Sequence, residues 1–246
     1  AQPTPAAIAA PAALPTVPEP VRSLPIPQQP AAPAGAPAGG PAGAPAEAPV
    51  EPELAPAAPQ VAFSAWAARI APATGIPQRA LQAYANAHAA MAATQPECQI
   101  TWVTLAGIAR VESNHGRGSL GPDGRPSSPI IGIPLNGTPG VRSIADTDGG
   151  VLDGDRLWDR AVGPFQFIPS TWARWVSDGD GDGVGEVQDI DDAAIAAARY
   201  LCADGRNLSG GDGWLRAILS YNSSVDYVQK VYAAAQQYAR SAQGIS

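Results

Sequence analysis

The first 60 residues contain none of the aromatic side chains that help to fill a protein core. Seventeen of the 27 prolines lie in this segment, while all fifteen aromatic residues come after it. A stretch rich in Pro and Ala cannot bury enough apolar surface to offset the entropy of ordering it, so we predict a disordered or polyproline-like tether over residues 1–60. Such a tether would reach at most about 190 Å, at roughly 3.1 Å per residue. Residues 61–246 have the size of one ordinary domain.

Charge and hydropathy argue against two classes of partner. The net charge is −7, the pI is near 4.7 and no basic cluster occurs, so nucleic acid is not an expected partner. No apolar run approaches 18 residues, so no transmembrane segment is predicted. The chain begins at Ala1 rather than Met, as a processed secreted protein would, and we expect it to be secreted to the cell envelope.

The sequence contains two cysteines, Cys98 and Cys202, which lie before one predicted helix and near the end of another. A disulfide between them would close a loop of about 100 residues and could add about 4–5 kcal/mol of stability by the chain-entropy model. Two buried free thiols are the alternative. The secreted character of the tether favours the bridge.

Apolar residues recur at helical spacing through most of the remaining sequence. Helices are predicted at Phe63–Ile70, from Pro77 onward, and at Trp102–Glu112, Pro169–Trp175, Asp191–Ala203, Gly213–Tyr221 and Val225–Ala239. Alternating strand patterns are absent, so the domain is predicted to be mainly α-helical. Between Asn114 and Asp159 the chain is rich in Gly, Pro, Asp and Ser, with one candidate extended segment at Ile130–Leu135. A loop of this length is typical of a segment that lines or covers a site.

Glu112 is the candidate catalytic residue. At about 100° per residue it shares a helix face with Leu105 and Ile108, while Arg110 falls on nearly the opposite side. Burying an unpaired carboxylate is costly unless the group takes up a proton, and a proton held at neutral pH is what a general acid needs. The alternatives are a carboxylate at the exposed end of the helix and one paired with a buried partner.

One acidic loop follows the start of the EF-hand pattern. Carboxylates stand at its first, third and fifth positions, a glycine follows at the sixth, and the seventh offers a backbone carbonyl. Aspartate replaces the usual glutamate at the twelfth position, and a further aspartate three residues later could close the loop instead. We predict bound Ca²⁺, with a solvated acidic turn as the alternative. The predicted ligands are Asp178, Asp180, Asp182, Val184, Asp189 and Asp192.

A second acidic run, Asp146–Asp155, does not fit that spacing. It is interpreted either as solvated loop or as part of a substrate cleft.

Five motifs taken together resemble the lytic murein transglycosylases, specifically the B-type family in its actinobacterial form. The resemblance covers roughly Ile76 to Tyr238. Each motif alone is weak, but their order and spacing are specific. The motifs are Gly107–Gly116 with its Glu-Ser pair, Gly163–Trp172, the acidic loop Asp178–Asp192, Ala193–Cys202 and Tyr221–Ser224.

The resemblance implies a lysozyme-like α-helical domain that cuts the glycan strands of peptidoglycan. Such enzymes cleave the β-1,4 bond between N-acetylmuramic acid and N-acetylglucosamine without water and leave a 1,6-anhydro-muramoyl end. Glu112 would act first as acid and then as base, and the substrate N-acetyl group would assist, so a second carboxylate is not required. No organic cofactor is implied, and a monomer is favoured. The implied substrate-binding residues are Ser113, Gln166, Tyr200, Tyr221 and Asn222.

Two departures from the family pattern lead to further expectations. Phe165 stands where the family often has Met, which predicts a reshaped cleft wall. The long Asn114–Asp159 segment leaves open whether chain ends or interiors are attacked. Two alternative functions also stay open: a lysozyme-type hydrolase of peptidoglycan, and a non-catalytic, calcium-stabilised protein that binds the wall.

Overall fold

The computed structural model describes residues 63–243 and residue 245, so the predicted tether at residues 1–60 lies outside the described residues. The described part is mainly helical, as predicted. Its seven α-helices are α1 Ser64–Thr74, α2 Gln78–Thr94, α3 Trp102–Arg117, α4 Pro169–Trp175, α5 Ile190–Leu201, α6 Gly211–Tyr221 and α7 Val225–Ala242. None of these helices is both long enough and apolar enough to cross a bilayer.

Helix α3 forms the centre of the core, between α2 and α7. Its apolar residues Leu105 and Ile108 have no exposed surface. Gly107 lets α7 approach closely, because a Cβ there would lie 2.8 Å from the Val231 carbonyl oxygen. The hydroxyl of Thr104 accepts a 3.1 Å hydrogen bond from the buried Trp214 indole, which joins α3 to α6. The apolar face of α3 is therefore enclosed by its neighbours.

The segment predicted as a long loop is partly ordered by strand pairing. Strand β1 (Ile131–Pro134) pairs antiparallel with β2 (Arg160–Val162). Isolated antiparallel bridges between Asn136 and Ser143 and between Ala145 and Trp158 continue this arrangement. The second strand was not predicted because three residues are too few to display an alternating pattern. The pairing holds the long segment beside the core.

The two cysteines form the predicted bridge. Cys98 and Cys202 are disulfide-bonded with their Cα atoms 5.5 Å apart, and no free cysteine is present. The bridge joins a 3₁₀ turn at Pro96–Cys98 to the end of α5, which ends at Leu201 rather than at the predicted Ala203. The backbone N–H of Leu208 also donates to the Cys98 carbonyl at 2.7 Å.

Candidate active site

A cavity of about 480 Å³ opens where α3 and α6 meet the segment after β2. Four of the predicted site residues line it: Glu112, Gln166, Tyr221 and Asn222. A smaller cavity of about 100 Å³, also lined by Gln166 and Tyr221, continues from it to Tyr200. The structure thus brings together five side chains from four separate motifs.

Glu112 occupies the position that helical geometry predicts. It lies on the face of α3 that carries the buried Leu105 and Ile108, whereas Arg110 is exposed. Burial raises the pKa of the Glu112 carboxyl from its ordinary 4.5 to about 7, although a hydrogen bond from Tyr227 acts in the opposite direction. Burial thus outweighs the hydrogen bond, and a substantial fraction of Glu112 is protonated at neutral pH.

Tyr227 was not predicted as a site residue. Its hydroxyl donates to Oε1 of Glu112 at 2.5 Å. The side chain is buried in the first turn of α7, and burial keeps its pKa well above the ordinary value, so it remains a donor. Ser224 caps this helix by accepting from the Tyr227 N–H. No sequence pattern distinguishes Tyr227 from an ordinary core tyrosine, because its partner is 115 residues away.

The chain turns sharply directly after Glu112 and Ser113. Asn114, His115 and Gly116 all have positive φ angles, of 52°, 58° and 78°. The Ser113 hydroxyl accepts from the Gly116 N–H at 2.8 Å and donates to the Pro164 carbonyl at 2.6 Å. Ser113 is therefore buried and joins protein segments to each other, and the structure does not place it among the residues lining the cavity.

His115, in the turn after Glu112, is buried. Its Nδ1 lies 3.0 Å from the Tyr84 hydroxyl and its Nε2 lies 2.8 Å from the Tyr238 hydroxyl. Burial, with a smaller effect from the positive charge of Arg110, lowers the pKa of His115 to about 3. The neutral imidazole can accept one hydrogen bond and donate the other, so it satisfies both tyrosines and fixes the turn after Glu112.

The turn Gly163–Phe167 forms the opposite wall. Reciprocal backbone hydrogen bonds between Val162 and Phe167 close it. Gly163 has φ +80°, and a Cβ there would overlap the Val187 carbonyl oxygen, so only glycine fits. Gln166 has φ +49°, and its Nε2 donates to the Gly163 carbonyl at 3.0 Å. This strained turn presents the Gln166 side chain to the cavity.

The Phe165 side chain does not line the cavity. It is fully buried, with its ring edge-to-face against Tyr84 at 6.0 Å. Its backbone carbonyl accepts a 2.7 Å hydrogen bond from the Tyr221 hydroxyl. Phe165 therefore anchors the turn from behind, and Tyr221 holds it from α6.

Tyr200 and Asn222 complete the predicted set. The Tyr200 hydroxyl donates to the Ser220 carbonyl at 2.6 Å, and its ring lies edge-on between Tyr221 at 5.4 Å and Trp175 at 5.8 Å. Asn222 is exposed at the end of α6, where its Oδ1 accepts from the Ser224 N–H. Trp172 belongs to the core, with 4% of its surface exposed.

Arg142 is a further lining residue that sequence reasoning missed. It comes from the long segment Asn114–Asp159 and lines both cavities. Its side chain is exposed and makes no hydrogen bond or ion pair with any residue between 63 and 243 for which contacts are described. Nothing in the surrounding Gly- and Pro-rich sequence marks this arginine, because only the pairing of β1 with β2 brings it to the cavity.

The acidic loop gathers three of the six predicted ligands. Oxygen atoms of Asp178, Asp180 and Asp192 all lie within 4.8 Å of one another. Asp182 instead faces Arg125, and its Oδ1 accepts from the Val184 N–H. The Asp182 carboxylate is therefore not part of this trio, and the Val184 backbone carbonyl stays a predicted ligand.

Asp189 has a different environment from the trio. Its Oδ1 caps α5 by accepting from the Asp191 N–H at 2.8 Å. Its Oδ2 is buried without a hydrogen-bond partner. Burial raises the pKa of Asp189, and the charges of Asp191, Asp192 and Asp180 add to the rise.

The second acidic run folds back on its own backbone. Asp146 accepts from three successive N–H groups, those of Asp148, Gly149 and Gly150. Asp159 is fully buried, and both of its oxygens accept from Thr147. Asp146, Asp148 and Asp159 also lie within 4.8 Å of one another. The run is therefore an ordered structural turn rather than a solvated loop.

Comparison with known proteins gives one family match. Residues 157–214 match the family model described as Transglycosylase SLT domain, which indicates peptidoglycan cleavage of the lytic transglycosylase type in general. The matched segment includes Gln166, Tyr200 and the acidic loop, and it excludes Glu112 and Tyr221. No curated protein and no solved structure matches the chain.

The raised pKa predicts that Glu112 destabilises the fold at alkaline pH. The pKa in the folded protein, about 7, exceeds the ordinary 4.5, so stability falls as pH rises between these values, by about 3 kcal/mol in total. Glu112→Gln keeps a neutral side chain at every pH. We expect the free energy of unfolding of this variant, relative to the parent, to improve by about 3 kcal/mol between pH 4 and pH 8 in urea titrations. If the difference in unfolding free energy between Glu112→Gln and the parent were the same at pH 4 and pH 8, the burial of this carboxyl would be contradicted.

Proposed function

We propose that the protein is a peptidoglycan lytic transglycosylase in which Glu112 acts first as general acid and then as general base. The bond cleaved is the β-1,4 linkage from N-acetylmuramic acid to N-acetylglucosamine, and the product carries a 1,6-anhydro-muramoyl end. The observation that carries this proposal is a single protonatable carboxyl at an open cavity. Among the described residues that line the two connected cavities, Glu112 is the only acid.

The absence of a second acid from that lining favours chemistry with one carboxylate. Two-carboxylate glycosidases place their groups about 5–5.5 Å or 6.5–9.5 Å apart across the scissile bond. The acids of the second acidic run have hydrogen-bond partners within the protein, and the predicted metal ligands lie in the loop Asp178–Asp192. A reaction in which the substrate supplies its own nucleophile needs no such pair.

The first step uses the proton on Glu112. Because Tyr227 donates to Oε1, the carboxyl proton is left on Oε2 for transfer to the glycosidic oxygen. The bond from the anomeric carbon to that oxygen breaks, and N-acetylglucosamine leaves with a new hydroxyl. Tyr227 stabilises the carboxylate that remains, so the same hydrogen bond that opposes the raised pKa assists the proton transfer.

The second step returns the proton to Glu112. The 6-hydroxyl oxygen of the muramoyl sugar attacks its own anomeric carbon, and the Glu112 carboxylate accepts the hydroxyl proton. The new carbon–oxygen bond closes the anhydro ring, and the acid is regenerated without water. Gln166, Tyr221 and Asn222 are proposed to orient the sugars, and the Arg142 guanidinium offers further hydrogen-bond donors in the same lining.

Replacing the carboxyl tests the proposed acid and base together. We expect Glu112→Gln to lower kcat on purified peptidoglycan at least about 10³-fold, because an amide cannot transfer the proton. The parent protein should lose activity above about pH 7, where Glu112 is ionised. Asp226→Asn, which changes an exposed acid elsewhere on the surface, serves as the control and should retain parental activity.

Product masses separate this reaction from its alternatives. An anhydro end is lighter than a reducing end by one water, so mass spectrometry of the released fragments distinguishes the transglycosylase from a lysozyme-type hydrolase. Reducing-end products alone would contradict the lyase chemistry. Undiminished cleavage by Glu112→Gln would remove this residue from the mechanism, and no cleavage by the parent would favour a binding protein.

We also propose that the acidic loop binds Ca²⁺, with Asp178, Asp180 and Asp192 as the core ligands. Three carboxylates within 4.8 Å repel one another, and this trio, unlike the second acidic trio, includes the first and third positions of the EF-hand pattern. The nearby arginines are already engaged, since Arg79 pairs with Asp191 and Arg125 with Glu186. The buried Oδ2 of Asp189 accepts no hydrogen bond and lies 3.9 Å from Nε of Arg125. A calcium ion there would be structural, fixing the segment between α4 and α5.

Calcium dependence of stability tests this site. With Ca²⁺ at about one hundred times its Kd, we expect a stabilisation of about 2.7 kcal/mol over the EDTA-treated protein, or roughly 5–10 °C in Tm. Asp180→Asn should abolish the shift. Asp148→Asn, in the second acidic trio, should keep it. Equal Tm values with Ca²⁺ and with EDTA would contradict the proposal.

The Pro- and Ala-rich segment supports a location in the cell envelope. A secreted enzyme carrying the tether predicted for residues 1–60 would reach into the wall from its point of attachment or export. The proposed substrate is found in the same place.

A further inference from the structure

A groove of about 740 Å³ continues beyond Tyr200. Tyr200 lines both this groove and the small cavity that leads to Glu112. The other walls of the groove are formed by the 3₁₀ turns Pro96–Cys98 and Ala203–Gly205 and by the last residues of α4. The groove is larger than the cavity at Glu112, and it shares Tyr200 with the small cavity that adjoins that site.

The distance from Tyr221, in the wall of the Glu112 cavity, to the groove suits a short branch of the substrate. Two ring-to-ring steps, 5.4 Å from Tyr221 to Tyr200 and 5.8 Å from Tyr200 to Trp175, lead into the groove. An extended peptide spans roughly 3.3–3.6 Å per residue, so three or four residues cover this path. Trp175 is half-buried and offers an aromatic surface at the entrance.

The charges of the groove are of both signs. Glu97 and Asp204 are exposed acids on its two turns, and Arg174 lies on α4. Asp204 is paired at 3.1 Å with Arg206, which also lines the groove. The Arg174 side chain is exposed and has no hydrogen bond or ion pair among the residues whose contacts are described. Arg199, by contrast, donates to the Val176 carbonyl and the Ser177 hydroxyl. One guanidinium is therefore available to a ligand, with carboxylates nearby.

We infer that this groove binds the peptide stems of peptidoglycan, an inference that rests on the proposed function. A stem peptide carries carboxylates and, at its diamino acid, an amine. Arg174 pairs with a stem carboxylate, while Glu97 faces the amine. A stripped glycan keeps only the lactyl carboxylate on each muramoyl ring, and it has neither an amine for Glu97 nor a chain that extends from the ring into the groove. The groove thus selects strands that still carry their peptides over stripped ones.

Direct binding of a free stem tetrapeptide tests the groove without any cleavage. The full chain is titrated with L-Ala-γ-D-Glu-diamino acid-D-Ala by calorimetry or NMR. We expect saturable binding that Arg174→Gln weakens about tenfold, because a charge-assisted hydrogen bond is lost. Arg216→Gln, at an exposed position on α6 outside this groove, is the matched control and should bind like the parent. No saturable binding by the parent, or parental binding by Arg174→Gln, would overturn the inference.

Cleavage of two substrates gives a second test. On peptide-bearing peptidoglycan, Arg174→Gln should lower kcat/KM about tenfold; on amidase-stripped glycan strands it should match the parent. An equal loss on both substrates would mean that the groove binds glycan, and no loss on either would mean that it binds neither. Both results would overturn the inference.

The Glu112→Gln variant separates this inference from the proposed function. It should bind the stem peptide like the parent while failing to cleave. If Glu112→Gln still cleaved peptidoglycan, the proposed mechanism would fail while stem binding could still stand. If the parent cleaved but did not bind the peptide, only the inference about the groove would fail.

Discussion

Two hydrogen bonds from hydroxyl groups to backbone carbonyls hold the candidate site together. Ser113, at the end of α3, donates to the Pro164 carbonyl, and Tyr221, at the end of α6, donates to the Phe165 carbonyl. The turn that carries Gln166 is thus fixed from both sides. Because the anchors lie next to the proposed catalytic residue and at the cavity wall, the distance across the cleft depends on them. Gln166 keeps its positive φ angle because these two hydrogen bonds hold the turn in this conformation.

The electrostatics of Glu112 follow from the same packing. Helix α3 packs between α2 and α7, which buries most of the Glu112 carboxyl and leaves Tyr227 as its one described hydrogen-bond donor. Burial raises the pKa of the carboxyl and the hydrogen bond lowers it, and burial has the larger effect. The neutral His115, bonded to Tyr84 and Tyr238, fixes the chain directly after it. The raised pKa of Glu112 therefore lowers the stability of the fold at alkaline pH. Such a loss of stability is expected where a residue serves activity rather than folding.

Local patterns in the sequence predict the helices well, because each has an apolar face with helical spacing. They also place Glu112 correctly beside Leu105 and Ile108, since that relation depends on one helix alone. Tyr227 and Arg142 could not be predicted in this way. Tyr227 meets Glu112 only through the packing of α7 on α3, and Arg142 reaches the cavity only because β1 pairs with β2. Ser113 was predicted to bind substrate because of its place in a motif. In the structure its hydroxyl donates to one backbone group of the protein and accepts from another.

The central claim is that burial keeps a proton on Glu112 near neutral pH. A ¹³C NMR titration of the glutamate side-chain carboxyls measures this directly in the full chain, with the Glu112→Gln spectrum identifying the resonance. A midpoint near pH 7 is the result that the account predicts. A midpoint near the ordinary value of 4.5 would contradict it, because Glu112 would then be ionised at neutral pH and could not serve as the acid.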